Sequence, residues 1–309
     1  VPDNRCPTRG RSQITRDLVL ESDINLRAVA VCFLHGSRYS AVMTRPVGIV
    51  VPAYRPDADR LCAYLRALDE RLAPAVVRVE LDAPRPGVRD RFGSLPESVE
   101  IATADARRGK GAAITAGFEA LDGRVAVLGF ADADGSTPAD SFAAVVERVL
   151  DGSADLATGS RRHPDADVQS HQTFARRRLG DGFAWLARRF LDETLYDYQC
   201  GAKALTVDTW RAVRPHLYEP GFAWDIELIA VANALGRTIA EVPVQWEDHP
   251  ESTVSTVDTT FRLARALVTS RHRSRLLRED RLHKLLAARR PEEPSLAERL
   301  ATTDPVEAD

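Results

Sequence analysis

From residue 43 onward short β-branched runs alternate with segments of helical periodicity, and few architectures accommodate such an order. "VGIVVPAY" (47–54) is a β-branched run. "DADRLCAYLRALDERL" (57–72) places Leu61, Leu65, Leu68 and Leu72 on one helical face, and "VVRVEL" (76–81) reads as strand again. There follow strands over "VEIAT" (99–103), "VAVLGF" (125–130) and "ADLATGS" (154–160), with helices over "GAAITAGFEAL" (111–121) and "ADSFAAVVERVL" (139–150) between them. The alternation predicts an α/β chain: a mostly parallel sheet with helices on both faces. Ligands of such sheets sit beyond the carboxyl ends of the strands.

Composition excludes several classes. A chain of 309 residues, 44% of them hydrophobic, can bury a large core, and a formal net charge of −3 gives no overall pull toward nucleic acid. Cys6, Cys32, Cys62 and Cys200 form no CxxC pair, which argues against zinc and for a reducing compartment. Arg or Asp interrupts every apolar run before it reaches the ~18 residues of a membrane span. Any membrane contact is therefore expected to be peripheral. Residues 1–42 show no periodicity and precede the only methionine, Met43, so they are expected to be a non-native or disordered extension.

"FADADGSTP" (130–138) follows an apolar run and presents Asp132 and Asp134 two positions apart. Residues i and i+2 of an extended segment project to the same side, so the pair would converge on a hard cation, Mg²⁺ or Mn²⁺. The same residues also suit an acidic turn with Asp132 as a solvated charge or cap. Upstream, "ARRGKGAAITAGF" (106–118) combines Gly109 and Gly111, which let backbone approach a ligand, with Lys110 and a helix start. It suits a phosphate or sugar contact, and equally a cap with surface charges. Neither GxxxxGK[ST] nor a GxGxxG after the first strand occurs, so no P-loop or nicotinamide site is indicated. Lysine is used only at Lys110, Lys203 and Lys284.

"VVPAY" (50–54), "GKGAA" (109–113), "ADADGSTP" (131–138), "GSRR" (159–162), "YDYQCGAKALT" (196–206) and "FAWDIELIAVANALGRTIAEVPVQWEDHPES" (222–252) occur in that order. Together, over about residues 46–255, they resemble glycosyltransferase family 2 with its GT-A fold, most of all its dolichyl-phosphate glucosyltransferase branch, with dolichyl-phosphate mannose synthase close by. The resemblance implies a GT-A domain over residues 43–255, with Pro52, Ala53 and Tyr54 lining the nucleotide base pocket and Asp82 bonding the base. It implies that Asp132 and Asp134 are a metal-binding DxD pair gripping the diphosphate, with Lys203 and Lys110 adding charge and Gly111 and Gln199 at the substrate. Asp225 and Glu227 would shape the sugar pocket; Trp224 would stack on the sugar or be a buried core residue. The family's Asn-Glu after "PAY" is here Arg55-Pro56, and its "DDGS" is here "LDAPRPG", so the base preference between UDP and GDP stays open.

A polyprenyl phosphate is already anionic near neutral pH and needs positive charge rather than a general base. By resemblance Arg161, and after it Arg176, would hold the acceptor phosphate. Residues 256–290 interleave leucines with Arg265, Arg271, Arg273, Arg275 and Arg278, as an amphipathic helix on an anionic membrane does, or as helices docked on the domain do. The tail 291–309 is expected to be disordered. These readings imply a metal-dependent, inverting hexosyltransferase, with glucose before mannose, that feeds protein glycosylation at the cytoplasmic face of a membrane. The alternatives are a catalytically weak sugar-nucleotide-binding relative and a sugar-1-phosphate nucleotidyltransferase.

Overall fold

The structure, a computed structural model, describes residues 45–169, 186–247, 256–280, 283 and 293–303. The expected extension over residues 1–42 and Arg176 lie outside these residues.

Strands β1 (Val47–Tyr54), β2 (Val76–Asp82), β3 (Val99–Ala104) and β4 (Val127–Ala131) alternate with helices α1 (Ala58–Leu72) and α2 (Lys110–Leu121). Helix α3 (Ala139–Leu150) leads to β5 (Leu156–Ser160) and the short β6 (Asp167–Gln169). Next come β7 (Ala202–Thr206), helices α4 (Val207–Val213) and α5 (Trp224–Ala234), and strands β8 (Ile239–Pro243) and β9 (Gln245–Glu247). Helices α6 (Thr256–Leu277) and α7 (Leu296–Thr303) follow. The main sheet has the order β3-β2-β1-β4-β7-β5-β8, while β6 and β9 pair apart from it. All of its ladders are parallel except the two made by β7, which runs against both β4 and β5. The predicted mostly parallel α/β sheet is therefore observed, with one reversed strand that periodicity did not announce.

Two apolar clusters cover the two faces. On one side α1 and α3 pack Leu61, Leu65, Leu68, Phe142, Val145 and Val146 onto Ile49, Val77 and Val127. On the other, α2, α4 and α5 bring Phe118, Trp210 and Trp224 against Phe130 and Leu128. Helix α1 starts where Asp57 accepts the amides of Asp59 and Arg60 at 3.0 and 3.1 Å, a side-chain cap for two of the four unpaired N–H groups. Helix α5 buries every residue from Trp224 to Ala232, because it lies between the sheet and α6 and has no wet face.

The C-terminal region departs from expectation. Leu296–Thr303 form a helix rather than disorder: Leu296 is buried and its amide bonds the Leu217 carbonyl at 2.7 Å, while Ser295 and Glu298 cap each other. In α6, Arg271 donates to the Phe190 carbonyl, Arg273 pairs with Glu227, and Arg275 joins Arg278 on Asp192. These four arginines are paired within the domain, as docked helices require.

Candidate functional site

Several strand ends meet at one edge of the sheet. β1 and β2 end level, with Tyr54 opposite Asp82, and β4 runs beside β1 in the same direction. Because β7 is reversed, its first residue, Ala202, lies opposite Ala131, the last residue of β4. "FADADGSTP" and "QCGAK" therefore meet, and the Asp132 amide donates to the Gly201 carbonyl at 2.9 Å. A Cβ on Gly201 would fall 1.8 Å from Oδ2 of Asp132. Gly201 is thus a site residue that motif spacing did not single out; a glycine at the mouth of a strand was the available signal of close approach.

The carboxylate pair is built by a turn. β4 stops at Ala131, and the Gly135 amide points back to the Asp132 carbonyl at 3.4 Å. Same-side projection from an extended strand is therefore corrected. Asp134 is exposed, with Oδ1 accepting the Ser136 amide at 2.9 Å, and Asp132 is partly exposed, with Oδ1 2.8 Å from Nζ of Lys110. Gly135 (φ +67) lies over the Tyr64 ring, whose hydroxyl donates to the Thr137 carbonyl at 2.8 Å and anchors the turn from below. Desolvation raises the Asp132 carboxyl above its ordinary value; Lys110 opposes this, and the charges of Asp134 and Asp225 add to it.

Oxygen donors of this kind suit a hard divalent ion that takes its remaining ligands from phosphate and water. Among the described residues no group of three or more His, Cys, Asp or Glu gathers into a metal cage. The turn thus fits Mg²⁺ or Mn²⁺ shared with a ligand's phosphates.

Behind the turn runs a chain of alternating charges. Nζ of Lys110 also lies 3.3 Å from Oδ2 of Asp225, whose Oδ1 accepts Nζ of Lys203 at 3.0 Å; Lys203 donates in turn to the Cys200 carbonyl at 2.7 Å. Lys203 points inward because it shares a face of β7 with Leu205, toward α5, and it is 0% exposed. Lys203, expected to add charge near the diphosphate, is therefore placed behind the turn, where it secures Asp225. Asp225, 2% exposed, bridges two lysines rather than lining an open sugar pocket.

Two further expectations, at Gly109–Gly111 and at Glu227, change, and of the two alternatives for Trp224 the structure shows the buried one. Gly109 (φ +102) and Gly111 do let backbone come close, but to protein: added Cβ atoms would lie 2.6 Å from the carbonyls of Pro220 and Glu219 respectively. Trp224 is 0% exposed, donates from its indole to Thr115 at 3.1 Å and packs edge-on to Phe118 and Phe130, so it is a core residue. Glu227 is equally buried; it accepts the amides of Tyr218 and Glu219 at 2.8 Å and pairs with Arg273. It fixes the loop against which α2 begins.

At the β1–β2 end Ala53 is buried and Pro52 and Tyr54 are half-buried. Guanidinium groups lie over the Tyr54 ring, Arg107 at 4.2 Å and Arg55 at 5.1 Å from its centroid. Asp82 does not stand open for a base: Oδ2 accepts the amides of Arg108 and Gly109 at 2.9 and 3.0 Å, and Oδ1 accepts Nε of Arg108 at 2.8 Å. Buried Glu80 takes the other end of Arg108 at 2.8 Å.

Arg161 follows β5. Asp197 engages its Nε at 2.7 Å and its Nη2 at 3.1 Å, also accepts the Gln199 amide at 3.0 Å, and is itself positioned through Glu241, which accepts the amides of Tyr196 and Asp197. The pairing holds the Asp197 carboxyl well below the ordinary carboxylate range against the cost of burial. Arg161 also stands over the Trp246 ring at 5.5 Å.

Comparisons agree with this layout. Residues 86–205 match the model of the family described as "Glycosyl transferase family 2". The chain is 31% identical over 223 residues to "Glycosyltransferase AglD" of Haloferax volcanii, covering 68% of this chain and 34% of that protein. It is 30% identical over 170 residues to a "Dolichyl-phosphate beta-glucosyltransferase" of Dictyostelium discoideum, covering 54% of this chain and 51% of the relative. The chain thus spans about a third to a half of the length of these relatives. A solved glucosyl-3-phosphoglycerate synthase of Mycobacterium tuberculosis, in complex with Mn²⁺, UDP-glucose and phosphoglyceric acid, has the same fold with TM-score 0.52 and 15% identity, over 74% of this chain and 80% of that one.

Proposed function

Because residues 86–205 carry a glycosyl transferase family 2 domain, we propose that the protein transfers a hexose, glucose before mannose, from a nucleotide sugar to a polyprenyl phosphate of the dolichyl type, with inversion. The observation that carries this reading is the turn bearing Asp132 and Asp134 at the end of β4, with Lys110 on one carboxylate and the other exposed. The dolichyl-phosphate glucosyltransferase relative supports the acceptor class, and the fold neighbour that binds Mn²⁺ and UDP-glucose supports the donor class.

Asp134 and Asp132 would hold Mg²⁺ or Mn²⁺, which when bound supplies counter-charge to the leaving diphosphate. Lys110 adds a second positive charge beside Asp132. Arg161 is offered to the acceptor phosphate with its plane fixed by Asp197. No general base is required, because the phosphate monoester is ionised at neutral pH. Work at the cytoplasmic face of a membrane belongs to the same proposal; among the described residues no helix is long and apolar enough to cross one.

Asp134→Ala tests the reading. With UDP-glucose, then GDP-mannose, as donor, transfer by the variant should drop by at least about a hundredfold through loss of a counter-charge to the leaving group, while lipid-phosphate binding survives. Activity within a few-fold of wild type would remove Asp134 from the chemistry.

A further inference from the structure

Lys110 is bound to two carboxylates at once, Asp132 at 2.8 Å and Asp225 at 3.3 Å, with a side chain only 10% exposed. Its two partners differ. Asp225 is buried and has a second cation, Lys203, at 3.0 Å, so its charge stays compensated without Lys110. Asp132 stands at the turn with a side chain 40% exposed, and among the described residues Lys110 is the cation paired with it. A carboxylate in a partly desolvated place demands a counter-charge. The order Asp132, Lys110, Asp225, Lys203 therefore lets the Asp132 end exchange its cation while the buried end stays paired.

We propose that Lys110 is the resident counter-cation of Asp132, competing with a divalent ion for that carboxylate, and that Asp225, secured by Lys203, retains Lys110 when the ion takes its place. This rests on the reading of the Asp132–Asp134 turn as a divalent-cation site. Its consequence is that Asp132 is charge-compensated before the ion arrives, and that the ion alone binds weakly because it must displace an ammonium. Affinity rises only when a diphosphate provides further oxygen ligands to the ion and a new partner for Lys110. Lys110 thus couples metal affinity to donor binding.

The test is Mn²⁺ binding to the full chain without nucleotide, read from the electron paramagnetic resonance signal of free Mn²⁺. Lys110→Met and Lys110→Gln should each tighten Mn²⁺ binding by about tenfold or more, since either removes a like charge from beside the ion. Lys110→Arg, which keeps the charge, should stay near wild type. Arg107→Gln removes an exposed positive charge seated on Tyr54 and should change the affinity less than about twofold, as screening of exposed charges dictates. A second measurement needs no variant: saturating Mn²⁺ should increase labelling of Lys110 by an amine-specific reagent, read by peptide mass spectrometry, and leave Lys203 unlabelled. Equal affinity in wild type and Lys110→Met, an equal shift in Arg107→Gln, or unchanged labelling of Lys110 would overturn the competition. Absence of Mn²⁺ binding in every variant would overturn it together with the metal reading. Mn²⁺ behaviour as predicted without sugar transfer would instead contradict the proposed reaction alone.

Discussion

At the scale of single residues, the carboxylate turn depends on neighbours that carry no charge to it. Gly201 lets β7 start against Asp132, and the atom that a Cβ would strike is the free end of the Asp132 carboxylate rather than backbone. Gly201→Ala should therefore leave the melting temperature nearly unchanged while displacing Asp132, and misplacement of a reacting group by about 1 Å can cost on the order of a hundredfold in turnover. A parallel fall in stability would show that Gly201 serves the fold instead. Cys200, fully buried beside it, has its thiol pushed up to about 11 by burial. Because the folded value lies above the unfolded one, its contribution to stability is present below the free-thiol value and is lost as pH rises toward about 11. In native protein at pH 8 the Cys200 peptide should resist alkylation and react after denaturation; rapid native alkylation would contradict this burial.

At the scale of elements, the strands and helices up to β5 were legible because each buries a face with its own period. Helix α3 spans the residues its periodicity predicted, and α2 begins one residue earlier, at Lys110. The reversed β7 was not legible: "AKALT" has the alternation of any strand, and direction is decided by the connection rather than by the residues. The motif residues were legible as a set but not in their division of labour. "WDIEL" marked Trp224, Asp225 and Glu227, and all three are buried, because α5 has sheet on one side and α6 on the other. Whether a tryptophan meets a sugar or a core depends on what the rest of the chain packs over it, and no local pattern encodes that. Trp224→Ala should accordingly cost roughly 3–5 kcal/mol of unfolding free energy in a denaturant titration. A stable variant with a raised KM for the nucleotide sugar would restore the stacking role.

At the scale of the whole molecule, the sheet gathers along one edge the groups that the proposed reaction assigns to donor and acceptor. β1 and β2 bring Tyr54 and Asp82, β4 brings the carboxylate turn, the mouth of β7 brings Gly201 and the lysine chain, and the end of β5 brings Arg161. The central claim is that this edge joins a nucleotide sugar to an anionic lipid acceptor, and a transfer assay with matched acceptors tests it most directly. Purified protein with Mn²⁺ or Mg²⁺ and UDP-glucose, or GDP-mannose in its place, should glycosylate a polyprenyl phosphate and ignore the corresponding free polyprenol, which is neutral and gives Arg161 nothing to pair with. Arg161→Ala should raise KM for the lipid phosphate by the loss of a charged contact, roughly 1.5–3 kcal/mol, with the nucleotide-sugar KM nearly unchanged. Equal transfer to phosphate and alcohol, or sugar-nucleotide synthesis from a sugar phosphate and a nucleoside triphosphate, would contradict the account.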